Sequence, residues 1–306
     1  MNKINNLNQV DLLNFCKKKI EELKNKNINT GLSSYLYFAS WAQSPGYEIL
    51  KNKLKANNVF RRLYVNFKYK LFIFKLLKLK TFSKFKIDIN DYNTIVLTWG
   101  SINDFDDQGF YKDRYFNSEA KNNKNILWYV IYEGSLDVNI NDKNLVVIFM
   151  DKNKKYLNFS IFFNILLNII KILKLNIFNF FHYLSFYSFY AIALKKITFR
   201  NDLSKIKKII MPYEGQPFQN YIFEEISKSY KNTQTIGINH SSLLPLPTNM
   251  IFREGSPNKL IVNGSSQKSI LVDHLNWNES KIYIKDSLRY KKNINYGLQG
   301  CIFFPY

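Results

Sequence analysis

Between Ser204 and Ser287 the chain alternates short apolar runs with longer segments of helical spacing. "KIKKIIMPYE" has the length and β-branched content of a strand, "GQPFQNYIFEEISKSY" the spacing of a helix, and "TQTIGINHS" that of a second strand. After the loop "SLLPLPTNMIFREGSP" come a strand in "KLIVNG", a helix in "SSQKSILVDHLNW" and a strand in "KIYIKDS". Strands that alternate with helices must run parallel, because only a crossover connection returns the chain to the same edge of the sheet. This order predicts a doubly wound nucleotide-binding half, whose ligands sit beyond the carboxyl ends of the strands.

Three groups of residues fall at those ends. Glu214 follows the first strand, His240 with Ser241 and Ser242 the second, and Asn263 with Gly264 the third. Ser265 or Ser266 is expected to cap a helix beginning near Gln267, whose free N–H groups suit a phosphate. Each group also has a plainer reading. Glu214 suits the first turn of a helix through the helix dipole, His240 suits an ordinary loop, and "NGSS" is an ordinary turn and cap. Their convergence on one edge favours a site. His182 and His274 lie in apolar helical surroundings and read as structural.

Upstream, strands are expected in "NTIVLTWGS" (93–101), "NILWYVIYE" (125–133) and "NLVVIFM" (144–150). The polar stretch between the first two is expected to lead into a short helix. An amphipathic helix is expected over 8–25. These elements divide the chain into a domain over 1–150, an apolar and basic connector over 151–203, and a domain over 204–306.

The formal net charge is +21, and it is concentrated. Twelve Lys or Arg and no acid lie between Glu48 and Asp88, and eight more with no acid between Asp151 and Asp202, which accounts for 12 + 8 = 20 of the excess. In the first window Phe60, Tyr64, Phe67, Leu71 and Phe74 form an aromatic stripe beside Arg61, Lys68 and Lys75. That pattern suits a helix lying on an anionic bilayer, or a core helix with a solvated basic face. In the second window Leu175 to Leu194 is uncharged, but Asn176, Asn179, His182, Ser185 and Ser188 interrupt it. A buried or membrane-resting hairpin is expected there in preference to a span.

Cys16 and Cys301 are the two cysteines, with no metal-ligand spacing, so neither a disulfide framework nor a zinc site is expected. "DFDDQG" (104–109) is the nearest approach to an acidic metal motif, through Asp104 and Asp106. No GxxxxGK[ST] or GxGxxG occurs. The N-terminus lacks a signal-like apolar core, and the cytoplasm is the expected compartment.

"MPYEGQPFQNYIFEEI", "TIGINHSS", "LIVNGSSQKSIL" and "IYIKDSLRY", in that order, resemble the C-terminal half of bacterial surface-carbohydrate (O-antigen and capsule) biosynthesis proteins. "DRYFNSEAKNNKNILWYVIY" and "GLSSYLYFASWAQSP" resemble their N-terminal part. That family looks like GT-B glycosyltransferases. The resemblance implies an α/β fold of two Rossmann-like domains, the second incomplete because the chain stops at Tyr306. It also implies sugar transfer from a nucleotide-sugar to a glycan or lipid-linked acceptor at the inner face of the cytoplasmic membrane.

In that reading Glu214 and His240 bind donor or act as acid and base. Ser241, Ser242, Asn263, Gly264, Ser265 and Ser266 contact the donor, and Asp113 and Arg114 lie on the acceptor side. No metal or separate cofactor is implied. A non-catalytic membrane-surface or assembly protein of the same fold is the alternative, and a nucleic-acid binder a further one.

Overall fold

The computed structural model describes residues 9–32, 78–132, 139–150, 186–199, 202–241 and 247–286, with the helical positions 160, 162–163, 166–167 and 170. Its centre is an eight-stranded sheet. In chain order the strands are β1 (Leu79–Phe82), β2 (Thr94–Gly100), β5 (Ile126–Tyr132), β6 (Leu145–Met150), β7 (Lys208–Pro212), β8 (Gln234–Ile238), β9 (Lys259–Val262) and β10 (Ile282–Ile284). A separate two-residue hairpin pairs β3 (Lys112–Asp113) with β4 (Ser118–Glu119). Across the large sheet the order is β1-β6-β5-β2-β7-β8-β9-β10, with every pair parallel except β1 against β6.

The central strands are apolar on both faces, as strands covered on both sides must be. Along β5, Leu127, Tyr129 and Ile131 enter one core, and Trp128, Val130 and Tyr132 the other. The first core takes in Leu13, Cys16, Ile20 and Leu23 of α1 (Gln9–Asn25), Ala191, Ile192 and Leu194 of α2 (Phe186–Thr198), and Phe218, Ile222 and Phe223 of α3 (Pro217–Ser229). Burial drives the Cys16 thiol up to about 12, so this cysteine behaves as a small apolar side chain. The second core is closed by Tyr111, Ala120 and Ile140, with Phe105 and Phe116 packed against it.

Several expectations change here. The fold is α/β, but the strands of both halves lie in one sheet rather than two, because β2 and β7 pair directly, Thr94 opposite Lys208. The β2–β5 connection holds the β3–β4 hairpin and short 3-10 turns, with no α-helix. β1 emerges from the first basic window as the antiparallel edge. The aromatic stripe at 60–74 lies outside the described residues, as does 175–185. The end of the uncharged run belongs to α2, whose Ala191–Leu194 are buried against the sheet. Among the described residues no helix is long and apolar enough to cross a membrane.

The N-terminal segment docks onto α3 through a buried carboxylate. Glu224 Oε2 accepts from Thr30 N–H and Thr30 Oγ1, both at 2.9 Å, and Asn29 Nδ2 donates to the Tyr221 carbonyl at 3.2 Å. Lys228 Nζ reaches Glu224 Oε1 at 2.7 Å from a half-exposed position. Glu224→Ala leaves two buried donors unpaired and is expected to lower the unfolding free energy by about 2–3 kcal/mol. Lys228→Ala is expected to lower it by less than about 1 kcal/mol, since the cation is half solvated. Urea unfolding of both variants checks the contrast.

Candidate functional site

The sheet order contains one reversal. From β2 the chain winds outward through β5 and β6, then returns to β7 on the other side of β2 and winds outward through β8, β9 and β10. Such a switch point leaves the two connections leaving it on opposite faces, with a crevice beyond the carboxyl ends of the strands. β2 and β7 pair only from Thr94↔Lys208 to Val96↔Ile210, although β2 continues to Gly100, so the strands part as they approach that rim.

Glu214 stands on the rim just after β7. Its turn is held by side chains at nearly every backbone polar group. Gln219, fully buried on α3, accepts from the N–H of Glu214 at 3.1 Å and of Gln216 at 2.9 Å, and donates to the Pro212 carbonyl at 2.5 Å. Asn220 Nδ2 donates to the carbonyls of Gly215 at 2.9 Å and Gln216 at 3.0 Å, and its Oδ1 accepts from Tyr213 OH at 2.7 Å. Asn249 Nδ2 donates to the Glu214 carbonyl. Gly215 has φ +65°, a left-handed conformation suited to glycine, and sits against the Asn249 backbone.

The carboxylate itself is also engaged. His240 Nε2 lies 3.1 Å from Glu214 Oε1, Ser241 Oγ 3.5 Å from the same oxygen, and Gln216 Nε2 donates to Oε2 at 3.0 Å. The His240 hydrogen bond holds the Glu214 carboxyl below its usual range, against the opposing effect of burial. The sign of the pH effect follows. The ionised form is favoured in the fold, so its contribution is complete above the unfolded pKa near 4.5 and disappears as pH falls through the lower folded value. Glu214→Gln is therefore expected to flatten the acid limb of a plot of Tm against pH between about pH 4.5 and that lower folded value. An unchanged limb would mean that the carboxyl titrates as it does in the unfolded chain.

The imidazole is the more deeply placed partner, its side chain 9% exposed against 35% for Glu214. The ring of Tyr115 meets it edge-on at 4.6 Å. Tyr115 in turn contacts Trp99 of β2 at 5.9 Å, and Trp99 contacts Phe218 of α3 at 5.5 Å. An aromatic chain thus ties the β2 side of the crevice to the β7–β8 side.

On the far side, Gln267 Nε2 donates to the Ser241 carbonyl at 3.1 Å, and the Asn263 N–H donates to Gln267 Oε1 at 2.9 Å. One side chain therefore couples the loop after β8 to the loop after β9. The helix that follows, α4 (Ser265–Leu275), begins at Ser265 with Gly264 as its N-cap. This corrects the expected cap, since neither Ser265 nor Ser266 fills that role. Both are exposed, and among the described residues nothing lies within 4 Å of where a Gly264 Cβ would be. Gly264 is extended, at φ −168°.

The structure brings Glu214, His240 and Ser241 into contact and links Asn263 to them through Gln267, with Gly264 the next residue in the chain. Ser242 lies outside the described residues. Asp113 is not a surface contact: it is wholly buried and accepts from Thr98 Oγ1 at 2.7 Å, Tyr111 OH at 2.8 Å, Tyr115 N–H at 2.8 Å and Phe116 N–H at 2.7 Å. Its role is to set the turn that aims Tyr115. Arg114 Nε donates to both oxygens of Asp104, at 2.9 and 3.1 Å, and its Nη2 to Ser101 Oγ at 2.6 Å, beside the end of β2. Asp106 Oδ1 accepts from the N–H groups of Gln108 and Phe110 at 3.0 and 2.9 Å, so the acidic loop satisfies itself.

Sequence reasoning passed over Trp99, Tyr115, Gln219, Asn249 and Gln267. The available signal for Gln219 was a pair of amides, Gln219 and Asn220, in the first turn of an otherwise apolar helix. Arg253, also passed over, is 4% exposed and donates from Nη2 to the Gly215 carbonyl at 3.4 Å. Its Nε and Nη1, with His240 Nδ1, Asn239 Oδ1 and Asn249 Oδ1, are buried without a hydrogen-bond partner. Burial also holds the Arg253 guanidinium below the ordinary arginine value. Unpaired buried polar atoms weaken a fold, and their concentration around one turn marks a region shaped by something besides stability.

No protein-family profile matches the chain, and no curated protein matches it either.

Proposed function

We propose that this protein is a glycosyltransferase-like component of surface-polysaccharide biosynthesis, binding a nucleotide-sugar at the β2/β7 rim and passing the sugar to a membrane-associated glycan acceptor. The observation that carries the reading is the Glu214–His240 pair, preorganised at a switch point, with Gln267 joining the Ser241 carbonyl to the Asn263 N–H one residue before the helix cap Gly264. The order of motifs that resembles surface-carbohydrate biosynthesis proteins favours the sugar-nucleotide class over other nucleotides. In a single sheet the crevice belongs to the switch point, and the β2–β7 seam takes the place of the cleft between two GT-B domains. Residues before the connector supply the acceptor side and residues 204–306 the donor side. The chain acts at the inner face of the cytoplasmic membrane as a peripheral protein.

The chemistry assigns roles. A carboxyl held ionised accepts hydrogen bonds and does not donate one at neutral pH, so Glu214 receives hydroxyls of the donor's ribose or sugar. His240 orients that carboxylate from beneath. The N–H groups at the start of α4 and the Ser265 and Ser266 hydroxyls take the diphosphate. Burial of His240 favours one second reading, a protein that binds the donor without turning it over.

A thermal-shift panel of UDP-, GDP- and CMP-sugars tests the proposal. One donor class at about a hundredfold its Kd is expected to raise Tm by on the order of 5 °C. Gly264→Val is expected to remove that shift at a cost in the unliganded fold of about 1 kcal/mol, the loss of a good N-cap residue, because a Cβ at 264 meets no described protein atom within 4 Å and the branched side chain stands in the donor's approach. If no donor class shifts Tm, the donor site is refuted. If a donor binds and is never transferred or hydrolysed, the non-catalytic reading replaces the transferase.

A further inference from the structure

We propose that the apolar side chains at the helical positions 162–163, 166–167 and 170 form a wedge that inserts into an anionic lipid surface. This deepens the membrane side of the reading above and is independent of the sugar-nucleotide site. Phe162, Phe163, Leu166, Leu167 and Ile170 are helical and exposed, with Phe163 and Leu167 the most open at 60% and 58%. At about 100° per residue the five side chains fall within an arc of roughly 140°, a single face of the helix. The Phe162 and Phe163 rings also meet edge-on at 6.1 Å. A contiguous apolar face of this kind held in water marks an interaction surface.

Charge selects the occupant. Lys152, Lys154 and Lys155 precede the face in sequence, Lys171 and Lys174 follow it, and no acid occurs between Asp151 and Asp202. A second copy docked face to face would bring two sets of those cations together, at an electrostatic cost. Anionic headgroups would neutralise them while the acyl region takes the aromatic and aliphatic side chains, the arrangement of an interfacial helix. The buried end of the same basic window, α2, is anchored in the sheet, so insertion would hold the folded domain against the bilayer.

The full chain is sedimented with phosphatidylcholine vesicles, with and without phosphatidylglycerol. Wild type is expected to bind the anionic vesicles, less so as salt rises. Phe163→Ser with Leu167→Ser is expected to weaken that binding roughly tenfold or more at unchanged Tm, since the two side chains are solvent-exposed in the fold. Lys171→Glu with Lys174→Glu is expected to weaken it through charge alone. A wild type that ignores anionic vesicles, or serine variants that bind as well as wild type, would overturn the proposal. So would a dimer in light scattering that the serine exchanges dissolve, which would assign the face to a second copy. The vesicle readout stands whether or not a nucleotide-sugar binds.

Discussion

Asp113→Ala is expected to lower the unfolding free energy by about 4 kcal/mol, read by urea denaturation, and to abolish any donor-induced thermal shift. The carboxylate is buried and satisfies four donors at once: two hydroxyls, from Thr98 and Tyr111, and the N–H groups of Tyr115 and Phe116. Alanine strands all four. Each abandoned buried donor costs about 1–3 kcal/mol, reduced where a hydroxyl rotates to a new partner. The loss of the Tyr115 and Phe116 contacts also releases the turn that sets Tyr115 against His240.

Asp113→Asn is expected to be milder. Its carbonyl still accepts from the two backbone groups, and the two hydroxyls can turn to accept from its amide. The pH behaviour has the opposite sign to that of Glu214. Burial is the largest influence on Asp113 and raises its pKa, so the native state holds the proton more tightly than the unfolded chain. From this group, stability is greatest below the ordinary carboxylate value and declines as pH rises through the higher folded value. Asn removes that decline.

Gly215→Ala is expected to destabilise by about 2–5 kcal/mol and to displace Glu214 from the rim. Two independent penalties combine. A φ of +65° costs an L-residue roughly 1–2 kcal/mol. The new Cβ would also overlap the backbone carbonyl of Asn249, which cannot swing aside as a flexible side chain does, and overpacking of that kind costs about 1–3 kcal/mol. Gly264→Ala is the control. Its backbone is extended and its Cβ position is open, so the only expected cost is that of replacing Gly by Ala at an N-cap, about 1 kcal/mol or less. Equal losses at the two glycines would show that the conformation of Gly215 is not what holds the turn.

Much of this site was readable along the chain. Glu214, His240, Asn263 and Gly264 fall where apolar β-branched runs end, and in parallel strands those ends share one edge. Tyr115 was not readable. It lies 125 positions before His240 in the chain, and the turn that carries it is set by Asp113, which was expected on the acceptor side and is instead buried beneath that turn. The β3–β4 hairpin escaped notice for a related reason: strands of two residues carry no periodicity to detect. The helix cap was misplaced by one or two residues because Gly264, Ser265 and Ser266 all have the chemistry of a cap, and only backbone geometry separates them.

Local pattern was sufficient for the α/β class, for the strands from β2 through β10 in the main sheet, and for the rim on which the polar residues end, because alternation and burial leave their imprint on neighbouring positions. The joining of the two halves into a single sheet was settled by packing. Any parallel strand can offer β2 the same backbone hydrogen bonds, and the pairing with β7, more than a hundred residues away, is the one observed when two cores close on opposite faces at once. Long-range closure of that kind leaves no mark in a local window. The contact of Tyr115 with His240 across the β2/β7 seam therefore exists only in the folded chain.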